Sequence, residues 1–156
     1  MEAMTNEERA AANFAEKGFN CTQSVLCAYS DALGLNERTA LRVAAPFGGG
    51  VGRQREMCGT VSGALMVLGM LHAPDDPTDL QAKALLYKRV QAFCARFREE
   101  NGSTVCRELL GGMAGSGYVP EARTAEYYKK RPCARMCASA ARILDSVLED
   151  IQEGKL

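Results

Sequence analysis

The residues of this chain best suited to chemistry are its cysteines, seven in 156 residues, at positions 21, 27, 58, 94, 106, 133 and 137. An odd number argues against a fully paired disulfide framework, and a cytoplasmic setting would keep most of these thiols reduced. Three roles remain: small buried filler, metal ligand, or reactive thiol. The chain contains no CxxC, so neither the thioredoxin-type motif nor the usual zinc-ribbon spacing applies. His72 is the only histidine, which rules out a His-rich metal site. Distant stretches of chain would have to fold together for any of these sulfurs to act jointly.

The elements that must do this read as helices almost throughout, with no alternating strand pattern. Thr5 with Glu8 forms a capping box for a first helix that Gly18 stops. Asn20 with Gln23 opens a second, CTQSVLCAYSDAL, which ends at Gly34, and Asn36 caps a third, ERTALRVAA, ahead of PFGGGVG. A fourth starts near Met57 or Cys58 and runs through GALMVLGML. The fifth is long, from Asp76-Pro77 to about Glu100, and Ser103 caps a short sixth, TVCRELL. Thr124 to Arg131 suggests another short piece, and Pro132 begins the last helix, CARMCASAARILDSVLEDIQ. Core stripes run along Leu86, Val90, Phe93 and Phe97, and along Cys137, Ala140, Leu144, Val147 and Ile151. The expected architecture is all-α: an irregular single-domain bundle of six to seven helices over residues 1–156.

On this map Cys21, Cys58, Cys106 and Cys133 each fall at a helix N-terminus. Unpaired N–H groups there, and about half a positive charge, stabilise a thiolate over a thiol. Basic neighbours act in the same direction: Arg53 and Arg55 near Cys58, Arg107 beside Cys106, and Lys129, Lys130, Arg131 and Arg135 around Cys133. The thiolate is both nucleophile and metal ligand, so these four are the candidate site. Cys27 and Cys94 read as core, and Cys137 lies one turn beyond Cys133 on the core face. In PFGGGVGR the glycines could nest an anion, but the P-loop ending is missing. They more simply allow close backbone approach beside Cys58, as Gly59 and Gly63 allow close helix packing.

The stretches GFNCTQSVLCAYSDALGL, FGGGVGR, EMCGTVSGALMVLG and GSTVCRELLG, with Cys133 ahead of AARIL, resemble the C_GCAxxG_C_C family. These are small bacterial and archaeal domains to which a redox role is ascribed. The likeness spans about residues 10 to 148, with Cys58, Gly59 and Gly63 as motif residues and Thr60 where the family usually has alanine. The family's four cysteines correspond to Cys21, Cys58, Cys106 and Cys133.

Two function classes follow. In the first, these thiols converge and cycle between dithiol and disulfide, with Cys58 attacking and Cys21 resolving. The substrate would be a redox partner protein or a small disulfide. In the alternative, the same four cysteines bind zinc or an iron–sulfur cluster. Composition narrows the rest. Nineteen basic and nineteen acidic residues cancel, so nothing draws the chain toward nucleic acid or a membrane surface. The longest apolar run, Val61 to Leu71, falls well short of the roughly 20 residues a span requires. The polar N-terminus is unlike a signal peptide, which points to the cytoplasm. Exposed edges of the two long helices could support a homodimer.

Overall fold

The computed structural model describes residues 2–156, of which 69% are helical, with no strands among them. Nine helices occur among the described residues, more than the six or seven expected. They are α1 (Asn6–Ala15), α2 (Cys21–Ala28), α3 (Ser30–Leu33), α4 (Glu37–Ala44) and α5 (Gly59–His72). Then follow α6 (Leu80–Asn101), α7 (Cys106–Leu110), α8 (Ala125–Lys130) and α9 (Cys133–Gln152). One added helix arises because the chain bends at Tyr29, which splits the expected second helix into α2 and α3, and the short piece at Thr124 to Arg131 forms another, α8. No helix of the described residues is long and apolar enough to cross a membrane.

Local chemistry sets most boundaries. Thr5 and Glu8, and Asn20 and Gln23, make the two capping boxes read from the sequence, and Asn36 caps α4. Two starts fall later than expected. Asp76 accepts hydrogen bonds from the Thr78 backbone and hydroxyl at 2.8 and 2.6 Å, a turn that takes up Pro77 and leaves Asp79 to cap α6. Ser103 accepts from the Val105 N–H at 2.9 Å instead of capping a helix, because Val105 is extended and bridged to Met57, so the helix begins only at Cys106.

α9 packs along α1 and against α6, and α2 lies between α1 and α5. Phe14, Leu26, Val61, Leu68, Phe93, Phe97, Leu144 and Val147 fill the core. Both expected stripes face it: Cys137, Ala140, Leu144 and Val147 are wholly buried, and Leu86, Val90 and Ile151 pack at its margin. Apolar burial at about 25 cal/mol per Å² is what holds these short helices, which are too short to be stable alone.

The glycines of α5 set how closely it meets α2. A Cβ on Gly59 would lie 2.6 Å from the Thr22 hydroxyl and 2.9 Å from Cys21 Cβ. One on Gly63 would lie 2.7 Å from the Thr22 carbonyl oxygen, a backbone atom that cannot swing aside. Gly63→Ala gains about 1 kcal/mol of helix propensity and loses about 1–3 kcal/mol to overpacking, with the backbone clash toward the upper end. The expected result is a net loss of about 1–2 kcal/mol in urea unfolding. An unchanged midpoint would mean the two helices are not held at this spacing.

Candidate functional site

Four helix starts meet at one place. Cys21, Cys106 and Cys133 are the first residues of α2, α7 and α9, and Cys58 is the N-cap of α5. Each arrives by a different local device. Cys21 follows the Asn20 capping box, and Cys133 follows Pro132. Cys58 and Cys106 are aligned by a single antiparallel bridge between Met57 and Val105. There the Cys58 N–H donates to Thr104 at 2.7 Å and the Cys106 N–H to Glu56 at 2.6 Å, which sets the two cysteines on one face of the bridge. All four line a small apolar pocket of about 20 Å³, closed by Leu110 and Met136. Cys21, Cys106 and Cys133 also line a larger open cavity of about 280 Å³.

Between α4 and the bridge, residues 49–55 follow an unusual backbone path. Gly49, Gly50, Gly52 and three residues with side chains, Val51, Arg53 and Arg55, all have positive φ. Each of the three costs about 1–2 kcal/mol relative to ordinary backbone. The path is held by N–H donation from Gly52 to Gly48 at 2.9 Å and from Glu56 to Gly50 at 2.9 Å. Side chains hold it as well. Arg53 donates to the carbonyls of Ser116, Gly117 and Val119, and Arg55 donates to that of Gly115 at 3.1 Å. The close approach expected beside Cys58 is made elsewhere: a Cβ on Gly48 would overlap Asn20, and one on Gly50 would lie 2.7 Å from Cys106 Cβ.

The electrostatics differ from the sequence expectation in three of the four cysteines. Burial pushes the Cys58 thiol up to about 11, against a counteracting hydrogen bond with Thr60 at 3.1 Å. Cys106 is also raised by burial, although Arg55 lies 3.8 Å from its sulfur. Cys21 is raised well above an ordinary thiol, first by its hydrogen bond with Cys133 and then by burial. The reason is desolvation: a helix start offers partial charges, and these do not offset removal of the thiolate from water. Basic neighbours also turn elsewhere. Arg107 pairs with Glu56 at 2.9 Å and Lys130 with Glu126 at 2.7 Å, both at the surface.

Cys133 alone among the seven cysteines has its thiol pKa lowered. The hydrogen bond from Cys21 is the largest cause, with Arg131, Arg123 and Arg55 adding to it against burial. Arg123 is the residue the sequence reading missed. Its guanidinium stacks 4.1 Å from the Phe14 ring centroid and donates to the carbonyls of Phe14 and Phe19 at 3.2 and 3.1 Å. In the sequence it is one arginine in a polar connector, with no periodicity to single it out. Cys137, expected on the core face, is wholly buried one turn behind Cys133, with its sulfur 4.0 Å from the Cys21 carbonyl. Cys27 and Cys94 are buried as expected, and His72 lines neither cavity.

As a class, this is an all-helical, cysteine-rich protein in which four of seven thiols gather where helices begin. The chain belongs to the C_GCAxxG_C_C family, whose model, described as "Putative redox-active protein (C_GCAxxG_C_C)", matches residues 19–147. No curated protein and no solved structure matches the chain. Among the described residues, no three His, Cys, Asp or Glu side chains are grouped so as to hold one metal ion.

Proposed function

We propose that the protein carries out thiol–disulfide exchange, with Cys133 attacking, Cys21 resolving, and Cys58 and Cys106 completing the thiol-lined site. The observation that carries this reading is that Cys21 and Cys133, the first residues of α2 and α9, line the same small pocket, where their interaction raises the Cys21 thiol and lowers that of Cys133. The attacking role assigned to Cys58 by sequence passes to Cys133, because exchange requires the thiolate.

The step balances as follows. The Cys133 thiolate attacks one sulfur of an accessible disulfide, the S–S bond breaks, and the leaving thiolate takes the proton from Cys21. A mixed disulfide now joins Cys133 to the substrate. The Cys21 thiolate attacks the Cys133 sulfur, forms the Cys21–Cys133 disulfide and releases the second substrate thiolate. Two electrons pass from the protein to the substrate disulfide, which leaves as one thiol and one thiolate, the latter taking its proton from water. Cys21 stays protonated in the resting state first because of its hydrogen bond with Cys133, then because of burial and the Cys133 charge. That charge disappears once Cys133 is in a mixed disulfide, so the resolving thiol becomes easier to ionise when its turn comes.

The test is to treat the reduced protein with bis(2-hydroxyethyl) disulfide, alkylate under denaturing conditions, and map the peptides by mass spectrometry. The expected product links Cys21 to Cys133 and leaves Cys58 and Cys106 alkylated. Stoichiometric zinc or iron held by these cysteines in anaerobically purified protein, or failure of that pair to form, would overturn the reading.

A further inference from the structure

The cavity in front of Cys133 is lined by four guanidiniums, Arg53, Arg55, Arg123 and Arg131, and by a single carboxylate, Glu121. Glu121 is already shared, paired with Arg131 and lying 3.5 Å from Arg53. Even with Cys133 as thiolate, the lining keeps an excess of positive charge. Low-dielectric walls, here Phe14, Leu110 and Tyr127, focus such a field into the cavity.

The hydrogen bonds show which guanidiniums remain available. A guanidinium has five N–H donors. Arg53 commits one terminal nitrogen to the carbonyls of residues 116, 117 and 119 and turns the other toward Glu121 at 3.5 Å. Arg123 is occupied with Phe14, Phe19 and the Tyr128 hydroxyl. Arg131 donates once, to Glu121, with its side chain only 6% exposed, and Arg55 donates to the Gly115 carbonyl and the Cys106 sulfur. Arg131 and Arg55 therefore keep unused donors on the cavity lining they share with Cys133, and a guanidinium fork suits a carboxylate. At about 280 Å³, the cavity is slightly below the range that takes a drug-sized ligand.

We propose that this cavity binds a small disulfide or thiol bearing carboxylates. Arg131 and Arg55 hold the carboxylate and thereby place the ligand sulfur at Cys133. The inference deepens the exchange reading of the same thiols and rests on it for the reaction, while the anion site itself can be measured without any exchange.

The probe is thiodiglycolate, a thioether dicarboxylate with no S–S bond, titrated by calorimetry into the reduced full-length protein at low ionic strength. Its neutral counterpart, thiodiglycol, has the same sulfur with hydroxyls in place of the carboxylates. Saturable one-to-one binding of the dianion, at least tenfold tighter than that of thiodiglycol, is the expected result. Arg131→Gln should weaken it at least tenfold, and Arg131→Lys should recover part of the loss. Equal binding of the two probes, or no binding of the dianion to the unmutated protein, would overturn the proposal. Neither probe can undergo exchange, so that failure would leave the Cys21–Cys133 disulfide standing. Conversely, absence of that disulfide alongside dianion binding would sink only the exchange reading.

Discussion

Cys133→Ser will remove the fastest-alkylating thiol of the protein. Cys58, Cys106 and Cys133 are almost equally exposed, at 6%, 8% and 8%, so thiolate fraction, not access, ranks them. A thiol raised to about 11, as Cys58 is, is ionised in about one molecule in ten thousand at pH 7. Cys133 lies below the ordinary value of 9.0, so its ionised fraction is more than about one in a hundred. Lower basicity reduces nucleophilicity by about eightfold over two units, which leaves Cys133 ahead of Cys58 by more than about tenfold. With iodoacetamide at pH 7, the initial rate should fall in the variant to that of the remaining thiols, which burial raises. The sign with pH is also set. In the unmutated protein the Cys133 rate rises with pH and levels off below 9.0, whereas Cys58 continues to rise toward about 11. Cys21→Ser should behave differently, reacting at Cys133 and then stopping at the mixed disulfide, seen as a persistent adduct by mass. If Cys133→Ser alkylates as fast as the unmutated protein, the thiolate lies elsewhere.

Gly50→Ala should carry the largest structural penalty at the site. The residue has φ +68°, and an added Cβ would stand 2.6 Å from the Glu56 nitrogen and 2.7 Å from Cys106 Cβ. Left-handed backbone costs an alanine about 1–2 kcal/mol, and the clash adds about 1–3 kcal/mol, giving about 2–5 kcal/mol together. The strand-like bridge would have to shift, because both neighbours belong to it or adjoin it. That would carry Arg55 away from Cys106 and Cys133. Gly52→Ala is the control: φ is +60°, but the nearest atom is 3.7 Å away, so only the backbone cost remains. Urea unfolding of the two variants should differ by the clash alone. Equal losses would show that the loop yields freely and does not hold the arginines in place.

These outcomes separate what could be read along the chain from what could not. The all-helical architecture was legible because caps and apolar periodicity are local: Asn20 and Gln23 are three residues apart, and Phe93 and Phe97 one turn. The placement of four cysteines at helix starts was legible for the same reason. Where a local signal competed with long-range pairing, it lost. Ser103 is a good cap by composition, but the bridge to Met57 keeps Val105 extended and the helix starts later.

The ionisation of each sulfur was not legible. A helix start and a nearby arginine in sequence predict a lowered thiol for Cys58, yet Arg55 reaches Cys106 instead and burial raises Cys58. The arginines that act on Cys133 come from positions 55, 123 and 131, and the first two belong to connectors with no pattern of their own. Composition and local periodicity were enough for helices, caps and the candidate cysteines, because those depend on residues within a turn or two. Which sulfur is the thiolate depends on desolvation and on charges brought from distant segments, and both exist only once the helices have packed.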